Sequence, residues 1–225
     1  MNLTPEEMNE RSIIIGAGTY GQTYAAYLAE ADIDIVGFID DDPSLCGEEV
    51  SGIPVIGNFD SLKTSSFKKS ITNVYCPIGD NIIREKYLRE SKKMGYKIPS
   101  FIHASAHIAP NVQMGEANYV LAGSVIMPHT ITADYLMVSV GSTIGHHVNI
   151  GKSVFISSGV RIGANLSLQK YSFIGIGATV MSNIGEIGEE ALIGAGSVII
   201  RNVEPYTTVV GNPGHVIKRT FQFLK

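Results

Sequence analysis

Adjacent histidines in the second half of the chain offer the clearest acid–base chemistry. His146 and His147 stand side by side, and His147 follows His129 by 18 residues. A neutral imidazole, with an ordinary pKa of about 6.5, accepts a proton at neutral pH. An amine or a hydroxyl that attacks a thioester needs such a base, and the oxyanion that forms needs N–H donors. These residue types therefore fit acyl transfer.

A glycine-rich loop near the N-terminus offers a place for phosphate. Residues 16–21 (GAGTYG) follow a predicted strand and open a predicted helix, and Asp40 and Asp41 end the next strand. N–H groups at a helix start bind phosphate, and carboxylates accept hydrogen bonds from ribose or a base. The pattern favours nucleotide binding. The alternatives are a structural turn without a ligand and a redox dinucleotide enzyme, although only about 80 residues separate Gly21 from the repeats described below.

The elements that must position this loop indicate an α/β domain. Strands are predicted at Arg11–Ile15, Ile33–Ile39 and Asn73–Ile78, and helices at Thr23–Glu30 and from about Asn81 to Met94. A strand, a helix and a strand within about 30 residues are typical of a βαβ unit and a parallel sheet. The first part of the chain is therefore predicted to be Rossmann-like.

The elements that must position the histidines follow a period of six. Every sixth residue from Ile102 to Val180 is apolar except Thr132, and the phase resumes at Ile187 after one extra residue near Asn183. A helix would scatter this period around its surface, and a flat strand would bury alternate residues. A solenoid with three six-residue sides in each coil fits the pattern, with a β-sandwich of accidental spacing as the alternative. His146 then lies at a corner, with its ring predicted to point outward.

Hexads such as residues 144–149 (IGHHVN) and 174–179 (IGIGAT) resemble those of the hexapeptide-repeat acyltransferases. Residues 11–42, 77–84 and 102–218 are similar to the sugar O-/N-acyltransferases of the sialic-acid and bacillosamine pathway type. The resemblance implies a Rossmann-like domain at residues 1–99 that binds a nucleotide sugar. It also implies that residues 100–225 form a left-handed parallel β-helix with a short C-terminal tail, and the handedness comes from the resemblance alone.

The resemblance further implies catalytic residues. His146, within residues 145–151 (GHHVNIG), matches the general base of the family. His147 stands where relatives carry the carboxylate that orients the base, so it is predicted to be a functional partner. Asp134 or a neighbouring subunit is a candidate source of a replacement carboxylate.

The substrate-binding residues are also implied by the resemblance. Gly18, Thr19 and Tyr20 would hold the diphosphate sugar, with Tyr20 in place of a family histidine. Asp40 and Asp41 correspond to an acidic pair of the family. Asn81, in the loop 77–81 (PIGDN), would face the substrate.

Acetyl-CoA is the cosubstrate that the resemblance implies, lying in a groove between adjacent β-helices of a homotrimer. The matching positions are Phe155, Ile176, Gly194 and Ala195, and Phe155 replaces a histidine of many relatives. Lys218 and Arg219 are placed to meet coenzyme A phosphates.

Composition argues against several other classes of protein. A net charge of −4 and the absence of Trp disfavour a nucleic-acid partner. No apolar run reaches the length of about 18 residues that spans a membrane, and Met1–Arg11 lacks a signal-peptide core, so we expect a cytoplasmic protein. Cys46 and Cys76 are too few for a disulfide framework. A three-histidine metal site is an alternative for the histidines, but no carboxylate shares the corner of His129 and His147, so no metal is expected.

The sequence thus predicts a cytoplasmic, trimeric acetyltransferase for surface polysaccharide or glycan synthesis. It would move acetyl from acetyl-CoA to a nucleotide-linked amino sugar, with a 4-amino-deoxy sugar as the expected acceptor and UDP, dTDP or GDP as the nucleotide. O-acetylation of a sugar or sialic acid is one alternative. A non-catalytic trimeric scaffold is the other, and the departures at His147 and Phe155 support it.

Overall fold

The computed structural model describes residues 10–219, and it divides into two compact units between residues 100 and 101. The first unit contains a three-stranded parallel sheet in the order β2-β1-β5. Its strands are β1 Ser12–Ile15, β2 Ile35–Ile39, β3 Glu49–Val50, β4 Ile53–Pro54 and β5 Asn73–Tyr75, with β3 and β4 forming a small antiparallel pair. All four residues of β1 are buried, as expected for a central strand. The predicted α/β unit with a parallel sheet is confirmed.

Within residues 10–219, three α-helices accompany the sheet: α1 Thr19–Glu30, α2 Ser65–Ser70 and α3 Asn81–Lys93. Two short 3-10 helices lie at Pro43–Leu45 and Phe59–Lys63. The sequence placed the start of α1 at Thr23, four residues too late. Propensity reasoning treated the glycine loop as a separate turn, whereas its last residues form the first turn of the helix, beginning directly after Gly18.

The second unit is a β-solenoid of about six turns. Its strands are β6 Phe101–Ile102, β7 His107–Ile108, β8 Gln113–Met114, β9 Tyr119–Val120, β10 Val125–Ile126, β11 Ile131–Thr132, β12 Met137–Val138, β13 Thr143–Ile144, β14 Val148–Ile150, β15 Phe155–Ile156, β16 Arg161–Ile162, β17 Leu166–Leu168, β18 Phe173–Ile174, β19 Thr179–Val180, β20 Glu186–Ile187, β21 Leu192–Ile193, β22 Val198–Ile199, β23 Thr207–Val210 and β24 His215–Arg219. They form three sheets, one for each side of the coil. The final strand, β24, runs antiparallel to β23.

The register of the sheets follows the sequence period. Ile126 pairs with Ile144 and Ile144 with Ile162, which places residues 18 apart in adjacent coils. The offset becomes 19 where Leu168 pairs with Ile187. The extra residue inferred from the shift of phase near Asn183 therefore lies within one coil, and in the next coil the offset falls to 16, where Ile193 pairs with Val209.

Apolar residues from all three sides fill the interior of the solenoid. Val120, Ile144, Ile162 and Ile187 belong to one continuous core and are 0–4% exposed. From Val120 to Ile199 the strand-ending residue of each side is buried, and each is apolar except Thr132, so the core extends through these coils. The corners between sides carry the outward-pointing residues.

Candidate active site

The glycine loop is shaped by a close approach of backbone to backbone. Gly16 directly follows β1 and has a φ of +94°, a conformation that side chains disfavour. A Cβ added to Gly21 would lie 1.9 Å from the carbonyl oxygen of Gly16, so only glycine fits at position 21. Gly18 is the extended residue before α1, and the predicted ligands Gly18, Thr19 and Tyr20 are all exposed. The first N–H groups of a helix lack intrahelical acceptors, and they are suited to bind phosphate.

Asp40 braces this loop. Its Oδ2 accepts a hydrogen bond from the N–H of Ala17 at 2.8 Å, and its Oδ1 accepts one from the N–H of Asp42 at 2.9 Å. The sequence assigned the Asp40 carboxylate to a ligand. The structure gives both of its oxygens a backbone partner, so the carboxylate fixes the shape of the loop.

Asp41 lines a pocket of about 210 Å³ beside the loop. Its Oδ1 accepts a hydrogen bond from the N–H of Phe59 at 2.9 Å, and its Oδ2 accepts one from the hydroxyl of Tyr87 at 2.6 Å. Burial and the bond to Asp41 raise the pKa of Tyr87, so the phenol stays protonated and donates. The rings of Phe59 and Tyr87 pack with their centroids 4.5 Å apart. The pocket is thus an apolar and aromatic cavity edged by carboxylates, with Ile15, Gly16, Ile39, Asp40, Ile78 and Ile83 as its other lining residues.

Hydrogen bonds of side chains at the start of α3 hold the loop 77–81. Asp80 caps α3 through its side chain, which accepts hydrogen bonds from the N–H groups of Ile82 and Ile83. Asn81 is only 8% exposed, and its Oδ1 accepts a hydrogen bond from Nη2 of the fully buried Arg84 at 2.8 Å. Nη1 of Arg84 donates to the carbonyl of Ile78 at 2.8 Å. The side chains of Asn81 and Arg84 together hold the loop, and the assignment of Asn81 to the substrate stays a prediction.

His146 and His147 lie together at one corner of the solenoid, between β13 and β14. We call residues 145–147 the histidine corner. Nδ1 of His146 and Nδ1 of His147 are 3.0 Å apart, a hydrogen-bond distance. His146 is half-buried and His147 is exposed, so both rings face outward, an orientation that the sequence predicted for His146. The ring of His129, one coil earlier, lies 4.9 Å from that of His147.

The backbone of the histidine corner is held by neighbouring coils. The N–H of His147 donates to Pro128, and the carbonyl of His146 accepts from the N–H of Asn165. His147 has a φ of +54°, and Asn165, the equivalent residue of the next coil, has a φ of +56°. A Cβ at Gly145 would lie 2.6 Å from the carbonyl carbon of Gly163, and the two coils therefore approach closely.

Sequence reasoning missed Thr130 beneath this corner. Thr130 is fully buried, and its hydroxyl donates to the carbonyl of Gly145 at 2.8 Å and accepts from the N–H of Val148 at 3.4 Å. It spans the residues on both sides of the histidine pair. The available signal was a polar residue at an inward position of the six-residue repeat, where most coils have an apolar one.

Asp134 belongs to a different corner. Its Oδ1 accepts from the N–H of Glu116 at 3.0 Å, and its Oδ2 lies 3.4 Å from the ammonium of Lys152. The idea that Asp134 replaces the carboxylate beside His146 is therefore wrong, because its charge is engaged elsewhere.

The four positions assigned to coenzyme A differ in exposure. Ile176 is 58% exposed, Ala195 is exposed and Gly194 is half-buried. Phe155 is only 1% exposed, and its ring stacks on Phe173 with centroids 4.9 Å apart, so its faces are not open to a ligand in this conformation. A separate cavity of about 310 Å³ near the C-terminal end is lined by Arg201, His215 and Arg219 among other residues.

Residues 10–219 contain neither a cluster of metal-ligating side chains nor a membrane-spanning helix. No group of three or more His, Cys, Asp or Glu side chains in that range is arranged to hold a metal ion. No helix in it is both long and apolar enough to cross a membrane.

Residues 11–91 match the family described as the PglD N-terminal domain. A solved structure of a mutant perosamine N-acetyltransferase from Caulobacter crescentus, in complex with CoA and GDP-perosamine, is 25% identical, with a TM-score of 0.86 over 92% of this chain and 96% of that one. The acetyltransferase domain of PglB from Neisseria gonorrhoeae FA1090, in complex with acetyl coenzyme A, is 28% identical, with a TM-score of 0.85 over 93% of this chain and 100% of that one.

A shorter likeness involves a serine acetyltransferase from Buchnera aphidicola. It is 42% identical over 40 residues, which are 18% of this chain and 15% of that curated relative. The match thus spans a small part of the relative's length.

Proposed function

Because the chain belongs to the PglD-like family of hexapeptide-repeat N-acetyltransferases, we propose that it transfers acetyl from acetyl-CoA to the amino group of a nucleotide-linked sugar. The observation that carries the proposal is the presence in one chain of two complementary sites. One is the helix N-terminus and carboxylate-edged pocket of the first unit, and the other is the outward-facing histidine pair on the solenoid.

The chemistry assigns His146 as the base. The amine lone pair attacks the thioester carbon, the C=O π electrons move to oxygen, and Nε2 of His146 takes the proton that the nitrogen must lose. When the tetrahedral intermediate collapses, C=O re-forms and the C–S bond breaks with its electron pair on sulfur, which His146 can protonate. Backbone N–H groups are suited to stabilise the oxyanion.

The geometry of the first unit supports a set of proposed substrate contacts. N–H groups at Gly18, Thr19 and Tyr20 would bind the diphosphate, and the pocket beside Asp41 would take the nucleoside between aromatic and apolar walls. Asp40 and Asn81 act indirectly in this proposal, as braces of the two loops. Ile176, Gly194 and Ala195 would flank the pantetheine in a groove between copies of a homotrimer, and Phe155 is left out of that groove because it is buried.

The test is a thiol-release assay with acetyl-CoA against 4-amino-deoxy sugars linked to GDP, UDP and dTDP. Turnover with one of them, lost in His146→Asn of unchanged fold, is the expected result and identifies the nucleotide. The GDP-linked sugars come first because the Caulobacter crescentus relative is in complex with GDP-perosamine. Bound acetyl-CoA without amine turnover would favour a hydroxyl acceptor, for which the short serine acetyltransferase likeness is the supporting observation. Absence of acetyl-CoA binding would favour the scaffold.

A further inference from the structure

The base of the proposed reaction has an imidazole as its hydrogen-bond partner, and that partner can both donate and accept. His146 and His147 meet through their Nδ1 atoms at 3.0 Å. In two neutral imidazoles a single proton lies between those atoms, because each neutral ring carries one N–H and one bare nitrogen. The pair therefore has two tautomeric arrangements, and both are neutral.

The two arrangements differ in what they leave at Nε2 of His146. When His146 donates from Nδ1, its Nε2 has a free lone pair and can accept a proton from the amine. When His147 donates instead, Nδ1 of His146 is the acceptor and its proton is on Nε2, where it blocks the base. Only the first arrangement is competent.

We propose that His147 is the positioning residue of the base and that it holds His146 in an equilibrium between a competent and a blocked tautomer. The proposal rests on the proposed function and deepens it. A carboxylate at position 147 would accept only, so it would hold all of the protein in the competent arrangement. In the wild-type protein, only a fraction of the molecules has the competent arrangement at any moment.

The same geometry decides the route of the proton. A proton that passed from His146 to His147 and out to solvent would leave His147 donating and His146 blocked. His146 therefore returns to the competent tautomer only when its Nε2 gives the proton to the departing sulfur. His147 stays an acceptor throughout that cycle, with the ring of His129 at 4.9 Å as its other aromatic neighbour.

The corner tolerates the substitutions that test this. His147 has a φ of +54°, and Asn165 and Asn183 occupy the equivalent position of the next two coils at +56° and +62°. Asn and Asp adopt this left-handed conformation more readily than most residues. His147→Asp and His147→Asn therefore suit the backbone, and they differ from each other only in charge and in the ability to donate.

The experiment measures tautomers directly, by 15N NMR of histidine-labelled protein, together with kcat and KM. In the wild type we expect the 15N chemical shift of Nδ1 of His146 to lie between the values of a protonated and an unprotonated ring nitrogen. In His147→Asp we expect Nδ1 fully protonated, Nε2 bare, and kcat raised by about 2-fold to 10-fold with KM little changed. His147→Asn, which can still donate, is expected to keep the mixed signal and to show no such rise.

A control separates the hydrogen bond from a general effect of negative charge. Asn165→Asp places a carboxylate at the same corner one coil away, where the side chain of Asn165 contacts Asn183. It is expected to leave the His146 signals and kcat unchanged. The proposal is overturned if Asn165→Asp reproduces the effect of His147→Asp, if His147→Asn does so, or if His147→Asp leaves the His146 tautomer mixed. The NMR result stands whether or not any acceptor supports turnover, so failure of the proposed function is recognised separately.

Discussion

The two candidate sites of this protein are built in opposite ways. In the first unit, the side chains of Asp40 and Asn81 turn toward the protein and hold two loops, so the groups left for a ligand are N–H groups and the walls of a pocket. At the histidine corner, buried Thr130 and the adjacent coils hold the backbone, and two imidazoles project outward. One site presents backbone shaped by side chains, and the other presents side chains carried by a fixed backbone.

This difference predicts how each site responds to substitution. A change in the first site should alter loop shape, and so stability and nucleotide binding should fall together. A change of an outward side chain at the corner should alter rate while stability stays constant. Measurements of stability and of rate on the same variants therefore test the comparison.

The largest effect is expected for His146→Asn. If His146 is the base that we propose, its loss should lower kcat by about 1,000-fold, within the range that general base catalysis contributes. Since the side chain projects outward and its corner is held by other residues, the thermal midpoint should stay within about 2 °C of wild type. A matched loss of stability would contradict the idea that side chains at this corner act on a preformed backbone.

The opposite result is expected for Gly21→Ala. The added Cβ would lie 1.9 Å from the carbonyl oxygen of Gly16, and relief of that clash would separate the loop from α1. We expect the free energy of unfolding of the first unit to fall by about 3 kcal/mol, with loss of nucleotide binding measured by calorimetry. Gly18→Ala is the matched control for stability, because a Cβ there meets no atom within 4 Å. Equal effects of the two alanines would show that the close approach does not shape the loop.

A smaller effect distinguishes Thr130 from an equivalent residue at another corner. The hydroxyl of Ser142 donates to Ser157 at 2.7 Å and accepts from Val160 at 3.3 Å, as that of Thr130 does for Gly145 and Val148. Thr130→Val and Ser142→Ala should each cost about 1 to 2 kcal/mol, since each leaves a buried carbonyl without its donor. Only Thr130→Val should also lower kcat, by about 5-fold, because only it displaces the base.

Thr130→Ser, which keeps the hydroxyl, should restore the rate. If Ser142→Ala slowed the reaction as much as Thr130→Val, the effect would belong to the solenoid as a whole and not to the histidine corner.

The smallest effect is expected for Tyr87→Phe. The variant loses the hydrogen bond from Tyr87 to Asp41, and we expect it to lower stability near pH 7 by about 1 kcal/mol and to weaken nucleotide binding slightly. The pKa of Tyr87 is raised in the folded protein, so its contribution is complete below the unfolded value of about 10 and declines as pH rises above it. The difference in free energy of unfolding between the wild type and Tyr87→Phe, measured by denaturant titration, should therefore shrink above about pH 10.

The sequence predicted the solenoid well because its rule is local and repeated. Each inward residue, such as Ile144 or Ile162, pairs with its counterpart one coil away, so a period of six determines the coil and even the extra residue near Asn183. The outward placement of His146 followed from the same period. The parallel sheet of the first unit followed from the strand and helix pattern.

Side-chain partners could not be predicted in the same way. Asp40 meets Ala17, Asn81 meets Arg84 and Phe155 stacks on Phe173 because of how particular side chains pack in three dimensions. A carboxylate at the end of a strand has the same sequence signature whether it accepts from a ligand or from its own backbone. The same holds for the start of α1, since GAGTYG does not reveal where turn becomes helix.

The change of pairing offset from 18 to 19 residues has a consequence for how such a chain can vary in length. The earlier coils pair at an offset of 18, the coil that holds the extra residue pairs at 19, and the next coil pairs at 16, with Ile193 opposite Val209. Loss or duplication of one whole coil would likewise leave every inward residue inward, whereas removal of three residues within a side would turn its core outward. Descendants of this sequence should therefore differ in the number of complete coils, or by one or two residues within a coil, and the histidine corner would be inherited intact with its own coil.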